Sequence, residues 1–355
     1  MDFPSFRAQF PVLAERAYLN AGTCGPLPQA ARDAHVATLD RFTREGRGFD
    51  YFEVWKEARD GIRASYASVL GARPADVALT TGTSEGLVRV LTGLGLRAGD
   101  EILTAEREHP GLLGPLAAAR RLLGVTVREV PLHAVAHAVG ERTRLIACSH
   151  VSWTTGALAP ELPEGVPVLL DGAQGVGAVP IDVETLRCDF YAGPGQKWLC
   201  GPDGLGMLWI APGRLDDLAT PGPTYVNLAD PGAGLDAGLA PDASRHDAAA
   251  IAPETWLAAQ AAFDVLAAQG WEHVHARGAA LAGTLVDLLT AAGKTVAPRG
   301  ATTLVSWEEA DPVAVRDRAA AAGVVIRDLP GTPYVRASTG AWNDDGDLER
   351  LVAVL

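Results

Sequence analysis

Residues 189–204 read DFYAGPGQKWLCGPDG and place a single lysine, Lys197, among glycines and prolines. Lysine occurs at only two other positions, Lys56 and Lys294, although lysine and arginine together number 30. Arginine therefore supplies nearly every cation of the chain. A lysine kept in a Gly/Pro loop indicates that its amine is used for chemistry, because an unprotonated amine is a nucleophile toward aldehydes.

Length, composition and charge bound the class of protein. The chain has 355 residues, of which 48% are hydrophobic and 21% charged, values typical of a globular protein of about two domains. The formal net charge of −13 disfavours nucleic acid and anionic membranes as partners. No apolar run is long enough to span a membrane, and no signal peptide is visible, so we expect neither.

The four cysteines, Cys24, Cys148, Cys188 and Cys200, show no CxxC spacing and no paired framework. This pattern predicts no disulfide and no metal site. Reduced thiols are typical of a cytoplasmic enzyme, which is the location we expect.

Short apolar runs alternate with helical patterns through the middle of the chain. The runs lie at 76–81, 100–105, 125–130, 144–150, 166–172, 188–193 and 206–211, with helical patterns at 84–95 and 109–124 among them. This alternation predicts an α/β fold with a mostly parallel sheet between helices.

The rest of the chain indicates a second, smaller domain. Residues 212–247 are rich in Pro, Gly, Ala and Asp and predict a long irregular loop, which we expect to cover a site. A long helical pattern follows at 253–293, and a small α+β pattern closes the chain. We predict a large α/β domain at 15–250 and a smaller α+β domain formed by 1–14 and 251–355, with its connecting helix.

Chemistry-bearing residues follow several of the predicted strands. They are Asp171, the segment TTGTSEG at 80–86, His109 and Lys197. Ligands of open parallel sheets bind beyond the carboxyl ends of the strands, so we expect these residues at one edge. Each has a structural alternative, such as a turn aspartate, an ordinary helix N-cap or a packed histidine. Together, a carboxylate, an anion cup, an imidazole and an amine match the needs of pyridoxal phosphate.

The motifs YLNAGTCGPLP, TTGTSEG, EREHPGL, SHVSWTTG, DGAQGVG, CDFYAGPGQKWLCGPDG and YVRAST occur in that order. From about Tyr18 to the C-terminus the chain resembles the class V aminotransferase family of fold-type I pyridoxal-phosphate enzymes. Cysteine desulfurases, selenocysteine lyases, cysteine C–S lyases and isopenicillin-N epimerases share these motifs. The resemblance implies this fold, this cofactor and a homodimer.

The resemblance implies roles around the cofactor for the residues that match its motifs. Lys197 would form the Schiff base and carry the α-proton, Asp171 would pair with the pyridinium nitrogen, and His109 would stack on the ring. The remaining contacts implied are Gln174 to the ring oxygen, and Thr83, Ser84 and Gln196 to the phosphate.

On the substrate side, the resemblance implies that Arg336 grips the substrate carboxylate, with a surface salt bridge as the alternative. Asn20 and Ala21 would border the substrate. Trp153 stands where relatives carry asparagine, and it would either shape the substrate pocket or pack in the core.

Three departures from the family pattern bear on function. Pro194 replaces a serine that would contact phosphate, and the segment that reaches a partner subunit's phosphate survives only as Arg245, with His246 as a possible substitute. No cysteine lies in VVIRDLPGTPYVR at 324–336, which disfavours a persulfide on that loop. Cys24 and Cys200 lie in motif regions but are expected to be small packed residues.

These observations predict an enzyme that acts on a small L-amino acid through a Schiff base with the cofactor and an α-carbanion. A lyase that cleaves a cysteine-derived C–S bond is the first hypothesis. An aminotransferase, an epimerase and a catalytically idle fold used for binding remain as alternatives, since the first three share one early carbanion.

Overall fold

A computed structural model describes residues 1–355. The strands are β1 Ala17–Tyr18, β2 Val77–Thr80, β3 Glu101–Ala105, β4 Thr126–Val130, β5 Thr143–Ser149, β6 Val168–Asp171, β7 Phe190–Pro194, β8 Gly206–Ile210, β9 Leu304–Glu308, β10 Val324–Val325, β11 Arg327–Asp328 and β12 Tyr334–Ser338. The α-helices are α1 Phe3–Arg7, α2 Gln29–Glu45, α3 Phe49–Leu70, α4 Thr83–Gly93, α5 Pro110–Leu123, α6 Pro253–Ala267, α7 Trp271–Ala291, α8 Pro312–Ala321 and α9 Asp345–Val352.

The central sheet has seven strands in the order β2-β8-β7-β6-β5-β3-β4. Only β8 runs antiparallel to its neighbours, β2 and β7. All seven apolar runs seen in the sequence form these strands, and the prediction of a mostly parallel sheet between helices is confirmed.

Alternate residues along the central strands enter two separate cores, one on each face of the sheet. In β6, Leu170 packs in one hydrophobic cluster and Leu169 in the other. The same division holds in β7 between Tyr191 and Phe190. Helices cover both faces, which explains why these strands read as continuous apolar runs rather than alternating ones.

The C-terminal part of the chain builds a smaller antiparallel sheet in the order β11-β12-β9. The N-terminus packs on this part: β1 pairs in parallel with β10, and Arg7 on α1 pairs with Asp347 at 2.8 Å. Strand β1, which lies inside the range 15–250 predicted for the large domain, thus pairs with a strand of the range predicted for the smaller one.

The helical stretch predicted at 253–293 is two helices, and the expectation of one long helix is wrong. Gly270 separates α6 from α7 with a φ of 79°, a left-handed conformation that favours glycine. Helix α6 packs against α2 and α3, whereas α7 packs against α9 and β9. The break therefore directs one helix to each part of the chain.

Residues 212–247 form the irregular segment that the composition predicts. They contain only short 3₁₀ turns, at Pro212–Arg214, Tyr225–Asn227, Pro231–Asp236 and Ala243–His246. None of the helices of the molecule combines the length and the apolar character that a membrane crossing requires.

Candidate active site

A cavity of about 430 Å³ opens at the carboxyl edge of the central sheet. The segments that follow β2, β3, β6 and β7 line it, together with Gly22, Thr23 and Arg327 from the smaller part of the molecule. Thr83, Ser84, His109, Asp171, Gln196 and Lys197 all lie at this cavity. The edge inferred from the sequence therefore exists and brings these six residues together.

Lys197 follows β7 and presents its amine to the cavity with no hydrogen bond or ion pair inside the chain. Burial lowers the pKa of Lys197 to about 8, against the opposing effect of Asp171, and the positive charges of Arg336 and Arg327 lower it further. On the order of a tenth of the amine is therefore unprotonated at pH 7, far more than for an ordinary lysine, and this form is a nucleophile and a base.

Asp171 ends β6 and is 4% exposed. Its Oδ1 accepts a hydrogen bond from the Ala173 amide at 2.9 Å, and no cationic side chain forms an ion pair with it. Burial raises the pKa of Asp171, while the positive charge of Lys197 lowers it. A buried carboxylate without a paired cation suits a cationic ring nitrogen.

The first turn of α4 forms an anion cup at one end of the cavity. Glu85 accepts from the Thr81 amide and hydroxyl at 2.7 Å each, which fixes the entry to the helix. The Thr83 hydroxyl has no partner, whereas the Ser84 hydroxyl donates to the Gly111 carbonyl at 2.9 Å. Free amides at a helix N-terminus favour a phosphate group.

His109 caps helix α5: its Nδ1 accepts from the Gly111 amide at 2.9 Å, so the hydrogen of the neutral ring lies on Nε2. Its ring packs edge-on against Trp153 at 5.0 Å. Burial, followed by the charge of Lys197, lowers the pKa of His109 to about 4. The ring is therefore uncharged at neutral pH and offers a flat surface to the cavity.

Arg336 lies on β12 and is 1% exposed. Its Nη1 donates to the Trp153 carbonyl at 2.8 Å, its Nη2 approaches the Thr23 hydroxyl at 3.4 Å, and its Nε is buried without a partner. Burial, followed by the charge of Arg327, lowers the pKa of Arg336 to about 9. This cation has no anionic partner in the chain, so the surface salt bridge considered from the sequence is wrong.

Arg327 is an arginine that lines the cavity, and the sequence reasoning missed it. It lies on β11 directly opposite Arg336 on β12, so the two side chains share one face. Its Nη1 donates to the Thr23 hydroxyl at 3.2 Å. The signal in the sequence is the hairpin register of RDLPGTPYVR, which places the two arginines opposite each other once the turn is known.

The family model for "Aminotransferase class-V" matches residues 25–333. The chain belongs to the class V aminotransferase family. The isopenicillin N epimerase of Streptomyces clavuligerus is 35% identical over 234 residues, which are 59% of this chain and 56% of that protein. A cysteine desulfurase of Salmonella dublin is 33% identical over 252 residues, 61% of each chain. The matched segments thus span less than two thirds of these curated relatives.

Solved structures of the protein C-DES resemble the class V chain over nearly its whole length. A complex of the cystine C–S lyase C-DES with its reaction product cysteine persulfide is 27% identical, with a TM-score of 0.91, and covers 97% of this chain and 98% of that one. A C-DES variant with glycine covalently linked to the pyridoxal-phosphate cofactor gives a TM-score of 0.92 at 27% identity and 98% coverage of both chains. The predicted family, fold class and cofactor are confirmed.

The residues at the cavity of this class V protein fit pyridoxal phosphate. The Lys197 amine suits its aldehyde, the Asp171 carboxylate suits its ring nitrogen, and the start of α4 suits its phosphate. Gln196 adds a polar side chain whose Oε1 is buried without a partner. A buried oxygen without a hydrogen-bond donor destabilises the folded chain. A ligand bound at the anion cup would change the surroundings of the Gln196 side chain.

Five residues predicted for the site do not line the cavity, and the buried Arg336 is one of them. Gln174 is buried and already engaged, since its Nε2 donates to the Gly22 carbonyl at 2.7 Å and its Oε1 accepts from Trp198 at 3.1 Å. Asn20 and Ala21 precede the two residues of the N-terminal segment that line the cavity, which are Gly22 and Thr23. Trp153 packs behind His109 and donates to the Arg107 carbonyl at 2.8 Å, which favours the core alternative.

The segment 212–247 contributes no residue to the lining of the cavity in the single chain, and its role as a cover stays a prediction. Arg245 donates to the Ala240 carbonyl and pairs with Asp216. His246 is fully buried beside Thr220. Neither side chain lines the cavity of its own chain, and a contact of either to a partner subunit's phosphate stays a prediction.

Glu108 is a buried carboxyl beside the site that the sequence reasoning also missed. It is 3% exposed and accepts from the Ser149 amide at 2.7 Å and from the Ser149 hydroxyl. Ser149 is the register partner of Asp171 in the sheet. Burial raises the pKa of Glu108 to about 7, against the Ser149 hydrogen bonds and with a further contribution from Asp171. Glu108, the residue before His109, thus links the segment after β3 to strand β5, the neighbour of the strand that carries Asp171.

Proposed function

We propose that this protein is a pyridoxal-phosphate-dependent lyase that cleaves a C–S bond of a cysteine-derived amino acid, with L-cystine as the substrate class. The observation that carries the proposal is a pair of guanidiniums: Arg327 lines the cavity that holds the Lys197 amine, and Arg336 lies opposite Arg327 on the neighbouring strand. A guanidinium fits a carboxylate in a forked geometry, and L-cystine has a carboxylate at each end. A structural neighbour is a cystine C–S lyase, which supports this choice.

We assign cofactor binding to residues already placed at the cavity. Lys197 would bind the aldehyde, Asp171 would pair with the ring nitrogen, His109 would pack against the ring, and Thr83 and Ser84 would hold the phosphate. Gln196 would support the phosphate with its amide. When bound, pyridoxal phosphate supplies an electron sink for the electron pair left at the substrate α-carbon.

Lys197 moves the proton in this proposal. Its amine takes the α-proton of the substrate, which requires the unprotonated form that the lowered pKa of about 8 makes available. Arg336 holds the α-carboxylate while this happens, and that carboxylate supplies the anionic partner that the buried guanidinium lacks. Arg327 binds the second carboxylate and orients the C–S bond.

The leaving sulfur carries the bond's electron pair away, so the step needs no oxidant. L-cystine and water give cysteine persulfide, pyruvate and ammonia, which balances all atoms. No cysteine lies between Val324 and Arg336 to take up sulfur on the chain. Burial raises the pKa of Cys24, the one cysteine that is not buried, which keeps its thiol protonated at neutral pH. The sulfur therefore leaves as part of the small-molecule product, cysteine persulfide, and is not transferred to a cysteine of the chain.

The test is a product analysis on the holoenzyme. Wild type and Lys197→Ala are purified, their visible absorbance is recorded, and each is incubated with L-cystine. We expect pyruvate, ammonia and cysteine persulfide in equal amounts from wild type alone. Absence of pyruvate from a wild type that carries the cofactor would refute the lyase.

A second candidate is an aminotransferase for dicarboxylic substrates, because two guanidiniums also suit a five-carbon amino acid with two carboxylates. An aminotransferase would show a turnover rate that depends on an added keto acid, and it would release no ammonia. Racemisation of L-cystine without ammonia or keto acid would indicate the epimerase instead. The same incubation, repeated with such a five-carbon amino acid and an added keto acid, therefore separates the three reactions.

We also propose a cytoplasmic homodimer. All four cysteines are free thiols, which supports a reducing compartment. Exposed apolar side chains at Val36, Leu39, Phe49 and Phe52 on α2 and the start of α3 support association, with Phe49 93% exposed. Light scattering after size-exclusion chromatography tests this, and a mass of one chain at micromolar concentration would refute the dimer.

A further inference from the structure

The Thr23 hydroxyl uses its whole hydrogen-bonding capacity at the edge of the cavity. It donates its one hydrogen to Asn20 Oδ1 at 2.8 Å and accepts from Arg327 Nη1 at 3.2 Å and from Arg336 Nη2 at 3.4 Å. A hydroxyl has one donor and two acceptor sites, so none is left. The direction of its hydrogen is fixed, because neither guanidinium can accept a hydrogen bond.

The two arginines depend on Thr23 to different degrees. Arg336 is held independently by burial and by the Trp153 carbonyl at 2.8 Å. Arg327 donates to no other group in the chain and has no ion pair. Loss of the hydroxyl would therefore release Arg327 and leave Arg336 in place.

The N-terminal segment is built to carry Thr23 to this position. Asn20 bridges to Ser338, the last residue of strand β12 that carries Arg336, and the Thr23 amide donates to the Asn20 carbonyl at 2.9 Å. A side chain at Gly22 would meet Arg336 Nη2 at 2.9 Å and Ser338 Oγ at 2.8 Å. Glycine at this position lets the backbone pass close over Arg336, so Thr23 reaches both guanidiniums.

We infer that Thr23 is a positioning residue that sets selectivity for substrates with two carboxylates. Its hydroxyl, whose hydrogen is directed to Asn20, orients Arg327 by accepting from the guanidinium. The inference rests on the proposed function. It assigns the recognition of the second carboxylate to a relay of Asn20, Thr23 and Arg327, and the recognition of the first to Arg336.

The experiment compares L-cystine, which has two carboxylates, with β-chloro-L-alanine, which has one and releases the same pyruvate and ammonia. We expect Thr23→Val to raise KM for L-cystine by about tenfold or more, as loss of a hydrogen bond to a charged group does. KM for β-chloro-L-alanine and kcat for both stay within about twofold, since Arg336 and Lys197 are untouched. Thr23→Ser restores the wild-type KM, because it keeps the hydroxyl.

Controls separate this role from a structural one. Thr290→Val makes the same exchange on an exposed turn of α7, where the hydroxyl donates only to the Val286 carbonyl, and should change neither KM. Arg327→Gln should match Thr23→Val, and the double variant should be no worse than either single one. Thr23→Ala makes the same test if the valine variant does not fold.

The outcomes are distinct. Wild type that turns over neither compound refutes the proposed function and this inference with it. Wild type that prefers L-cystine, together with a Thr23→Val variant that keeps that preference, overturns the role of Thr23 alone. An equal loss of activity on both substrates in Thr23→Val, which Thr23→Ser does not restore, also overturns it, because that result indicates a general structural defect.

Discussion

Arg327 and Arg336 lie directly opposite each other on neighbouring antiparallel strands, and one hydroxyl, that of Thr23, accepts from both. Like charges in this position are destabilising. Both guanidiniums donate to the same oxygen, at 3.2 and 3.4 Å, so the two positive charges lie close enough to repel each other. A fold that keeps two cations together, one of them buried without an anion, is suited to an anionic ligand.

The two arginines should differ in what they recognise. Arg336→Lys should raise KM for L-cystine and β-chloro-L-alanine alike by about tenfold to a hundredfold, because a forked contact of about 1.5–3 kcal/mol becomes a point charge. Arg327→Lys should raise KM for L-cystine only. Arg318→Lys on α8 is the control. Equal effects of the two site variants on both compounds would show that the arginines share one carboxylate.

Capture of the cofactor should report the pKa of Lys197. We expect protein stripped of cofactor to bind added pyridoxal phosphate about tenfold more slowly per pH unit below 8, because only the unprotonated amine attacks. Above the lowered pKa of about 8 the rate should be flat. Borohydride trapping and peptide mass locate the modified lysine, and Lys56→Ala should behave as wild type. A rate that still rises above pH 10 would contradict this expectation.

Glu108 should make the folded state lose stability as pH rises. Its pKa is raised from 4.5 to about 7 on folding, so between these values the folded chain binds a proton that the unfolded chain has released. The free energy of unfolding of wild type, relative to Glu108→Gln, should therefore fall across this window, by on the order of 3 kcal/mol. Below and above the window the difference should be constant.

Urea unfolding of the holoenzyme at a series of pH values measures this effect. Glu106→Gln is the matched control, since Glu106 is an exposed neighbour in the same segment. A difference between wild type and Glu108→Gln that rises with pH would mean that Glu108 is charged and satisfied in the folded protein.

The sequence predicts the sheet and its functional edge well, because both follow from local patterns. Buried parallel strands read as apolar runs, and residues that follow them, such as Asp171 and Lys197, must meet at the carboxyl edge. Contacts that depend on tertiary register are not visible in this way. Arg327 enters the site only because a hairpin places it opposite Arg336. Gln174 leaves it because Gly22 and Trp198, distant in sequence, take both ends of its amide.

The break between α6 and α7 was missed for a related reason: a single glycine inside an alanine-rich helical pattern does not by itself indicate a stop. Gly270 has a φ of 79° and open space around its Cα, whereas Gly283 lies inside α7, also with open space. These two glycines thus differ in backbone conformation and not in packing, and they form a matched pair.

Gly270→Ala should destabilise the protein by about 1–2 kcal/mol, because an L-residue is strained in the left-handed region. Gly283→Ala should stabilise it by about 0.5–1 kcal/mol, because alanine loses less backbone entropy in a helix. Chemical unfolding of both variants beside wild type measures the two changes. If Gly270→Ala were neutral or stabilising, α6 and α7 would join as one helix in solution, and a rise in helical circular dichroism would accompany it.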